Sequence, residues 1–217
     1  MKEKPLLFSG PMVRAILDGR KTQTRRVFKN ENGEAKISTD VSRVDVSVNG
    51  VASLMFPLAD GTLHPKSFTY KCPYGYPGTK LWVRETFEYC VRGADYTPGF
   101  EDYVAYRADN GAKMITPGLI STEDINGKWR PSIHMPRWAS RISLEVTGVR
   151  MERLQDISTE DIRAEGVDDG MTNPRMGKRH DASMRMAWQA LWESINGPDS
   201  WAASPWVWIV EFKRVSE

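Results

Sequence analysis

Hydrophobic residues recur at helical spacing in two stretches of the chain, and glycine or proline bounds each stretch. The first begins at Pro11, which suits the first position of a helix, and Gly19 fits the position just past its end. The second is capped by Asp181 or Ser183 and ends at Asn196. The pattern predicts helices over residues 11–18 and 183–195, whose apolar faces are Met12, Val13, Ile16 and Leu17, and Met184, Ala187, Trp188, Leu191 and Ile195.

Alternating apolar residues and β-branched runs predict short strands between these helices. A hairpin is expected around the turn at Asn49 and Gly50. Ser158 can cap a further short helix that stops at Gly166. Residues 111–128 and 168–180 are predicted as loops, and residues 131–138 as an ordered irregular segment. The strands are expected near residues 6–8, 22–28, 44–56, 81–87, 103–106, 142–153 and 206–212. Many short strands with few helices predict an α+β fold, a mixed β-barrel with covering helices.

Length and composition fit a soluble globular protein of one domain. The chain has 217 residues, of which 27% are charged and 40% hydrophobic, and its net charge is +2. We expect a single domain over residues 1–217 with insertions at 30–66 and 111–128, the first of which is a candidate surface for a protein partner. Cys72 and Cys90 are too few for a disulfide framework, and no segment has the pattern of a secretory signal or the length of a membrane span. The sequence therefore predicts a cytoplasmic protein with free thiols.

The main candidate functional residues lie between residues 19 and 28, where the first predicted helix leads into a strand. Lys21 is expected in the turn, and strand alternation places Thr22, Thr24 and Arg26 on one face. Residues 20–29 contain five basic residues and no acidic one. Such a run also suits a plain solvated face, so the pattern alone leaves both interpretations open.

Three motifs in this order resemble the ASCH family of the PUA-like superfamily. Gly19, Lys21, Thr24 and Arg26 resemble its GxKxxExR signature, residues 77–85 resemble its PGD-x-L-x-V-R-E strand, and residues 208–212 resemble its closing strand. Together with residues 131–142, the chain is similar to the long ASCH proteins of bacteria and their prophages. The resemblance implies a PUA-like barrel that recognises a nucleoside or RNA.

The departure from the family signature is informative, because Thr24 stands where many members have glutamate. Threonine occupies that place in the bacterial N4-acetylcytidine amidohydrolases, which are similar but shorter ASCH proteins thought to use Lys, Thr and Glu. The resemblance therefore implies Lys21, Thr24 and an acid as catalytic residues. Glu165 is the best match for the acid, with Glu160 and Asp161 as alternatives.

The expected chemistry is attack by a threonine hydroxyl after a lysine takes its proton. Crowding by Arg20, Arg25 and Arg26 would lower the pKa of Lys21 toward that task. Glu165 would hold Lys21 or return a proton to the leaving amine, although an exposed acid is an equally good interpretation.

Four further residues are predicted to bind substrate. Arg26 and Arg84 offer planar forks for an oxyanion or phosphate, while an ion pair with Glu85 or another acid near the barrel is the alternative for Arg84. His134 is a binding residue or a hydrogen-bonded wall, and Trp138 is a stacking platform or a core residue. No metal or cofactor is expected, because His64, His134 and His180 follow no ligand spacing.

Two classes of function remain open from the sequence. The first is an amidohydrolase acting on an N4-acylated cytidine or a similar modified base. The second is a non-catalytic RNA-binding module that holds phosphates with residues 21–26. A third possibility is a phage-associated interaction protein that docks through residues 30–66.

Overall fold

The computed structural model describes residues 3–29, 43–55, 68–91, 102–116, 119–167 and 178–215. Three α-helices and eleven strands are assigned in these ranges, and short 3₁₀ turns connect some of them. In chain order they are β1 (Lys4–Leu7), α1 (Gly10–Leu17), β2 (Gln23–Val27), β3 (Arg43–Val46), β4 (Val51–Met55), β5 (Phe68–Lys71), β6 (Lys80–Arg84), β7 (Phe87–Val91), β8 (Asp102–Tyr106), β9 (Ala112–Ile115), β10 (Ser143–Arg153), α2 (Thr159–Ala164), α3 (Lys178–Asn196) and β11 (Trp206–Val215).

The predicted α+β class is confirmed, since strands in sheets predominate and helices are few. Within the described residues every sheet has two edge strands, so the barrel predicted from the sequence is not closed. The chain divides into two compact units. The first consists of Met1–Gly19, Lys80–Leu144 and Arg214–Glu217, and the second of Arg20–Thr79 and Glu145–Lys213.

The first unit combines a parallel strand pair with an antiparallel sheet. β1 runs parallel to β6, and β7, β8 and β9 form a three-stranded antiparallel sheet in that order. Tyr106 is fully buried, and its hydroxyl donates to the carbonyl of Ala139 over 2.6 Å. The core around it consists of Trp82, Phe87, Tyr89, Val104, Tyr106, Ile115, Met135 and Ala139.

The second unit holds the basic stretch and the tryptophan-rich core. β2 pairs antiparallel with β11, with Thr24 opposite Val210 and Arg25 opposite Ile209. β3, β4 and β5 form a separate antiparallel sheet. The buried core lies between α2, α3 and the end of the chain, and consists of Leu154, Ile157, Ile162, Met184, Trp188, Trp192, Trp201, Val207 and Ile209.

Most element boundaries agree with the sequence patterns, and glycine marks two of them. Gly19 follows α1 with φ +73°, and Gly166 follows α2 with φ +79°, the left-handed region that glycine adopts without steric cost. The hairpin around Asn49 and Gly50 is present as β3 and β4. The remainder of the predicted 30–66 insertion lies outside the described residues, so its role as a partner surface stays a prediction.

Three expectations from the sequence are wrong in detail. Residues 112–115 form β9 rather than loop, because pairing with β8 and burial of Ile115 override a segment with weak strand propensity. The strand expected over 81–87 ends at Arg84. α3 begins at Lys178, before the predicted caps, and Ile195 on its predicted apolar face is exposed.

We expect the cap of α2 to matter because this helix positions two acidic residues of the candidate site. Ser158 accepts a hydrogen bond from the backbone N–H of Asp161 over 3.1 Å. Ser158→Ala should lower the free energy of unfolding by about 1 kcal/mol, the usual cost of losing such a cap. Urea unfolding measures this cost. Ser194→Ala, which alters an exposed hydroxyl inside α3, serves as the control and should change stability less.

Candidate functional site

Three polar side chains at and just before β2 contact α2 or the residue that follows it. These are Lys21, Gln23 and Arg25. Lys21 forms an isolated antiparallel bridge with Glu165, and the N–H of Thr22 donates to the carbonyl of Ala164 over 2.8 Å. The amide of Gln23 donates to the carbonyl of Asp161 over 3.0 Å. Because side chains alternate along a strand, Lys21, Gln23 and Arg25 all meet the same helix.

Lys21 and Glu165 form a buried ion pair. The Lys21 Nζ lies 2.7 Å from Oε2 of Glu165 and 2.9 Å from its backbone carbonyl oxygen. The two side chains are 0% and 1% exposed. The acid implied by the resemblance is therefore the one that contacts Lys21, while its catalytic role stays a prediction.

Burial is the main cause of the lowered pKa of Lys21. Desolvation lowers it most, the charge and hydrogen bond of Glu165 oppose that effect, and the charges of Arg26 and Arg25 lower it further. The sequence predicts cation crowding as the cause, with Arg20 as a third contributor. Instead, burial dominates, and Arg20 is an exposed residue whose guanidinium donates to the carbonyl of Gly166 over 3.2 Å.

Arg25 connects this pair to a larger ionic network. Its side chain is 0% exposed, and its terminal nitrogens lie 2.8 Å from Asp161, 3.4 Å from Glu165 and 3.5 Å from Glu152. Arg150 approaches Asp161 and Glu152 over 2.7 Å each and also pairs with Glu211. Two arginines thus hold the acidic residues around Glu165 in place.

The two alternative acids occupy different positions in the structure. Burial of Asp161 opposes its ionisation, but hydrogen bonds and charges from Arg150 and Arg25 outweigh that effect and lower its pKa. Glu160 is 82% exposed and lies 3.7 Å from Arg163. Neither position matches that of Glu165 against the Lys21 amine.

Thr24 lies on the opposite side of β2 from Gln23 and Arg25. The residue is buried, and strand alternation places it with Arg26. Thr22, expected on the same face, is exposed. Lys21 precedes β2, and the charge of Arg26, on the Thr24 side, still acts on it.

Arg26 lies close to a tyrosine that the sequence analysis did not single out. Burial lowers the pKa of Arg26, while the charges of Tyr74 and Glu165 oppose the change. Burial raises the pKa of Tyr74, and Arg26 opposes that. Tyr74 follows Cys72 and Pro73 in a turn, and its proximity to β2 is not visible in the sequence spacing.

The other predicted binding residues belong to the first unit. The guanidinium of Arg84 lies 4.7 Å above the Trp82 ring and donates to the carbonyl of Ile133. Its suggested partner Glu85 pairs instead with Arg141, through two hydrogen bonds of 2.9 Å. His134 is exposed at the end of the 3₁₀ turn Ser132–His134.

Trp138 packs against the core of the first unit, while its predicted role as a stacking platform for a base stays a prediction. Its ring stacks on Tyr89 with 5.7 Å between centroids and an interplanar angle of 15°, and it packs against the core of the first unit. The residue nevertheless stays partly exposed. It therefore offers aromatic surface from a fixed position.

The histidines and cysteines do not assemble a metal centre in the part of the chain that the structure covers. No group of three or more His, Cys, Asp and Glu side chains there has the geometry to hold a metal ion. Cys72 and Cys90 are both thiols. His64 and the side chain of His180 lie outside the described residues.

Comparison with family models, with curated proteins and with solved structures finds no match to this chain. The ASCH resemblance therefore remains a prediction from the motifs. Among the helices described, none is both long and apolar enough to cross a membrane.

Proposed function

We propose that the second unit carries a hydrolase site for an acylated nucleoside base, in which Lys21 and Glu165 form the proton-transfer pair. The observation that supports this most is the buried lysine, whose pKa is lowered and whose amine contacts a carboxylate. Shifted lysines of this kind are typical of general bases. The substrate class, an N4-acylated cytidine or similar modified base in a PUA-like fold, comes from the ASCH resemblance.

The proposed reaction needs no cofactor. The neutral Lys21 amine takes the proton of the Thr24 hydroxyl, whose oxygen attacks the acyl carbonyl and forms a tetrahedral oxyanion. Collapse breaks the C–N bond, and the proton that Lys21 accepted passes through the carboxyl group of Glu165 to the leaving N4 amine. Water then hydrolyses the threonine ester to release the carboxylic acid. Arg26, which strand alternation puts on the same side of β2 as Thr24, would stabilise the oxyanion.

Thr24 is the part of this scheme to test first, because strand alternation places it away from Gln23 and Arg25. We expect Thr24→Ala to abolish release of cytidine from N4-acetylcytidine, since no nucleophile remains. Thr24→Ser keeps a hydroxyl at the same position and should retain measurable turnover. Chromatography of the two nucleosides measures both rates.

Two results would contradict the assignment of Thr24. Full activity of Thr24→Ala would mean that water attacks directly, with Lys21 as its base. No cytidine from the wild type over a long incubation would contradict deacylation of this substrate and favour the binding module.

The binding module has a different electrostatic signature. Lys21 and Arg25 are fully buried against carboxylates, which disfavours them as phosphate contacts. RNA binding by the remaining exposed cations should weaken steeply with added salt, because bound phosphates release counterions. Turnover of an uncharged nucleoside should respond far less. Measuring both activities across a salt series separates the two functions.

A further inference from the structure

The first unit contains a cavity of about 320 Å³ beside the start of α1. Its volume lies at the lower end of the ~300–1,000 Å³ usual for small-ligand pockets, so the cavity suits a compact ligand. Two guanidinium groups and one hydroxyl line it, and none of the lining residues that the structure describes is acidic. These residues are Gly10, Pro11, Arg14, Thr86, Arg107 and Ala108.

Both arginines of the cavity have neutral partners. Nη1 of Arg14 donates to the backbone carbonyl oxygen of Ala108 over 2.5 Å. The Cζ atom of Arg107 lies 6.0 Å from the centroid of the Trp129 ring, at the outer limit of a cation–π contact. Both residues are exposed, and within the described ranges neither guanidinium forms an ion pair with a carboxylate. Their charges are therefore available to an anionic ligand.

The acidic residues next to the cavity in sequence are held by another arginine. Glu85 precedes Thr86, and Asp109 follows Ala108. The guanidinium of Arg141 forms two hydrogen bonds with each of these carboxylates, all of 2.8 or 2.9 Å. Such forked pairs fix the geometry of both partners. The carboxylates of Glu85 and Asp109 are thus directed at Arg141 rather than at the two arginines of the cavity.

The start of α1 and a hydroxyl complete the walls of the cavity. The first turn of α1, which includes Gly10 and Pro11, contains no acidic residue. The N-terminal end of a helix carries a partial positive charge, which adds to the full charges of the arginines. The Thr86 hydroxyl can donate a hydrogen bond to an anionic oxygen. Every polar group on these walls therefore favours an anion.

We propose that this cavity binds the phosphate group of a small phosphate monoester, with Arg14 and Arg107 as its two main contacts. The planar fork of a guanidinium matches a pair of phosphate oxygens. A phosphate monoester carries a charge of about −1.5 to −2 at neutral pH, which two arginines match better than they match a singly charged carboxylate.

This site is separate from the proposed hydrolase site. Its residues belong to the first unit, whereas Lys21, Thr24 and Glu165 belong to the second. The proposal therefore does not rest on the deacylation chemistry, and a binding measurement tests it without any assay of turnover.

Calorimetric titration of the full chain with ribose 5-phosphate tests the proposal. Arg107→Met should weaken binding about tenfold, because it removes one charge-assisted contact. Arg107→Lys keeps the charge but loses the planar fork, so it should weaken binding less than Arg107→Met does. Ribose, which lacks the phosphate group, should bind at least about tenfold more weakly than ribose 5-phosphate.

Arg14→Met should also weaken binding of ribose 5-phosphate about tenfold. Its matched control is Arg214→Met, because Arg214 is likewise exposed, belongs to the same unit and donates to a backbone carbonyl, that of Leu17 at the other end of α1. The control should leave the affinity unchanged. Unchanged melting temperatures of the variants establish that folding is intact, and Arg107→Met alone decides should Arg14→Met unfold.

Four outcomes would overturn the proposal. The first two are no binding of ribose 5-phosphate at millimolar concentration and equal losses of affinity in Arg107→Met and Arg214→Met. The third is binding of inorganic phosphate as tight as that of ribose 5-phosphate, which would indicate a site for free phosphate. The fourth is tighter binding of a single-stranded RNA without terminal phosphates, lost in Arg107→Met, which would assign the arginines to a nucleic-acid backbone.

Discussion

Replacing Lys21 with arginine is expected to lower the rate of N4-acetylcytidine deacylation by about 10²- to 10⁴-fold, the usual contribution of general acid–base catalysis. The arginine keeps a cation beside Glu165, but a guanidinium does not deprotonate in proteins and cannot take the proton of Thr24. Kinetic assay of cytidine release, at a temperature where both proteins stay folded, measures the loss.

The pH profile separates a base from a purely structural lysine. Because burial lowers the pKa of Lys21, wild-type kcat/KM should rise with pH until the amine is deprotonated, below the ordinary lysine range. Lys21→Arg should lose this rise. Full activity in Lys21→Arg, or an unchanged pH profile, would show that Lys21 serves only the ion pair.

Glu165→Gln tests the other residue of the buried Lys21–Glu165 pair in the same deacylation assay. The amide keeps a hydrogen-bonding group near Lys21 but carries no charge and transfers no proton. Full activity in this variant would move the acid role to Glu160 or Asp161. A loss without unfolding would agree with the assignment of Glu165.

Replacing Arg25 with methionine should produce the largest loss of stability, about 3–5 kcal/mol in the free energy of unfolding. Removal of Arg25 leaves three carboxylates to share Lys21 and Arg150, and breaking a buried ion pair costs about this much. Arg25 is 0% exposed and approaches Asp161, Glu165 and Glu152. Urea unfolding of the purified variant measures the change.

Arg163→Met is the matched control for Arg25→Met. Its partner Glu160 is 82% exposed, so this pair should contribute no more than about 0.5 kcal/mol. Equal losses of stability in the two variants would show that burial does not make the ion pairs of Arg25 stronger than the exposed Arg163–Glu160 pair. A loss below 1 kcal/mol in Arg25→Met would do the same.

Acid should reduce the difference between wild type and Arg25→Met. The pKa of Asp161 is lowered in the folded state, so its contribution to stability is complete above the unfolded value of 3.8 and is lost as the pH falls through the folded value. Repeating the urea titrations at neutral pH and below pH 3.8 tests this dependence.

The helices and strands of the candidate site follow from local sequence. Gly19 and Gly166 end α1 and α2 because their positive φ angles suit glycine, and Ser158 begins α2 because its hydroxyl caps it. The segment 112–115 was missed, because Ala112 and Lys113 have weak strand propensity and only pairing with β8 makes β9.

The residues around Lys21 were predictable to a smaller extent. The motif resemblance singled out Lys21 and Glu165, which meet across 144 positions of the chain. Arg25 was missed as a site residue, although its spacing from Lys21 and Gln23 places all three on one side of an extended strand. Tyr74 had no such signal, because its proximity to Arg26 depends on a turn distant in sequence.

By itself the sequence determined the α+β class, the boundaries of α1 and α2, and the cluster of basic residues with Thr24 at its centre. Only the tertiary structure decided that Lys21 contacts Glu165 and that Arg25 contacts Asp161. Strand alternation puts neighbouring side chains of β2 on opposite faces, but packing against distant segments decides which residues each face contacts. Burial then lowers the pKa of Lys21, and burial exists only in the folded chain.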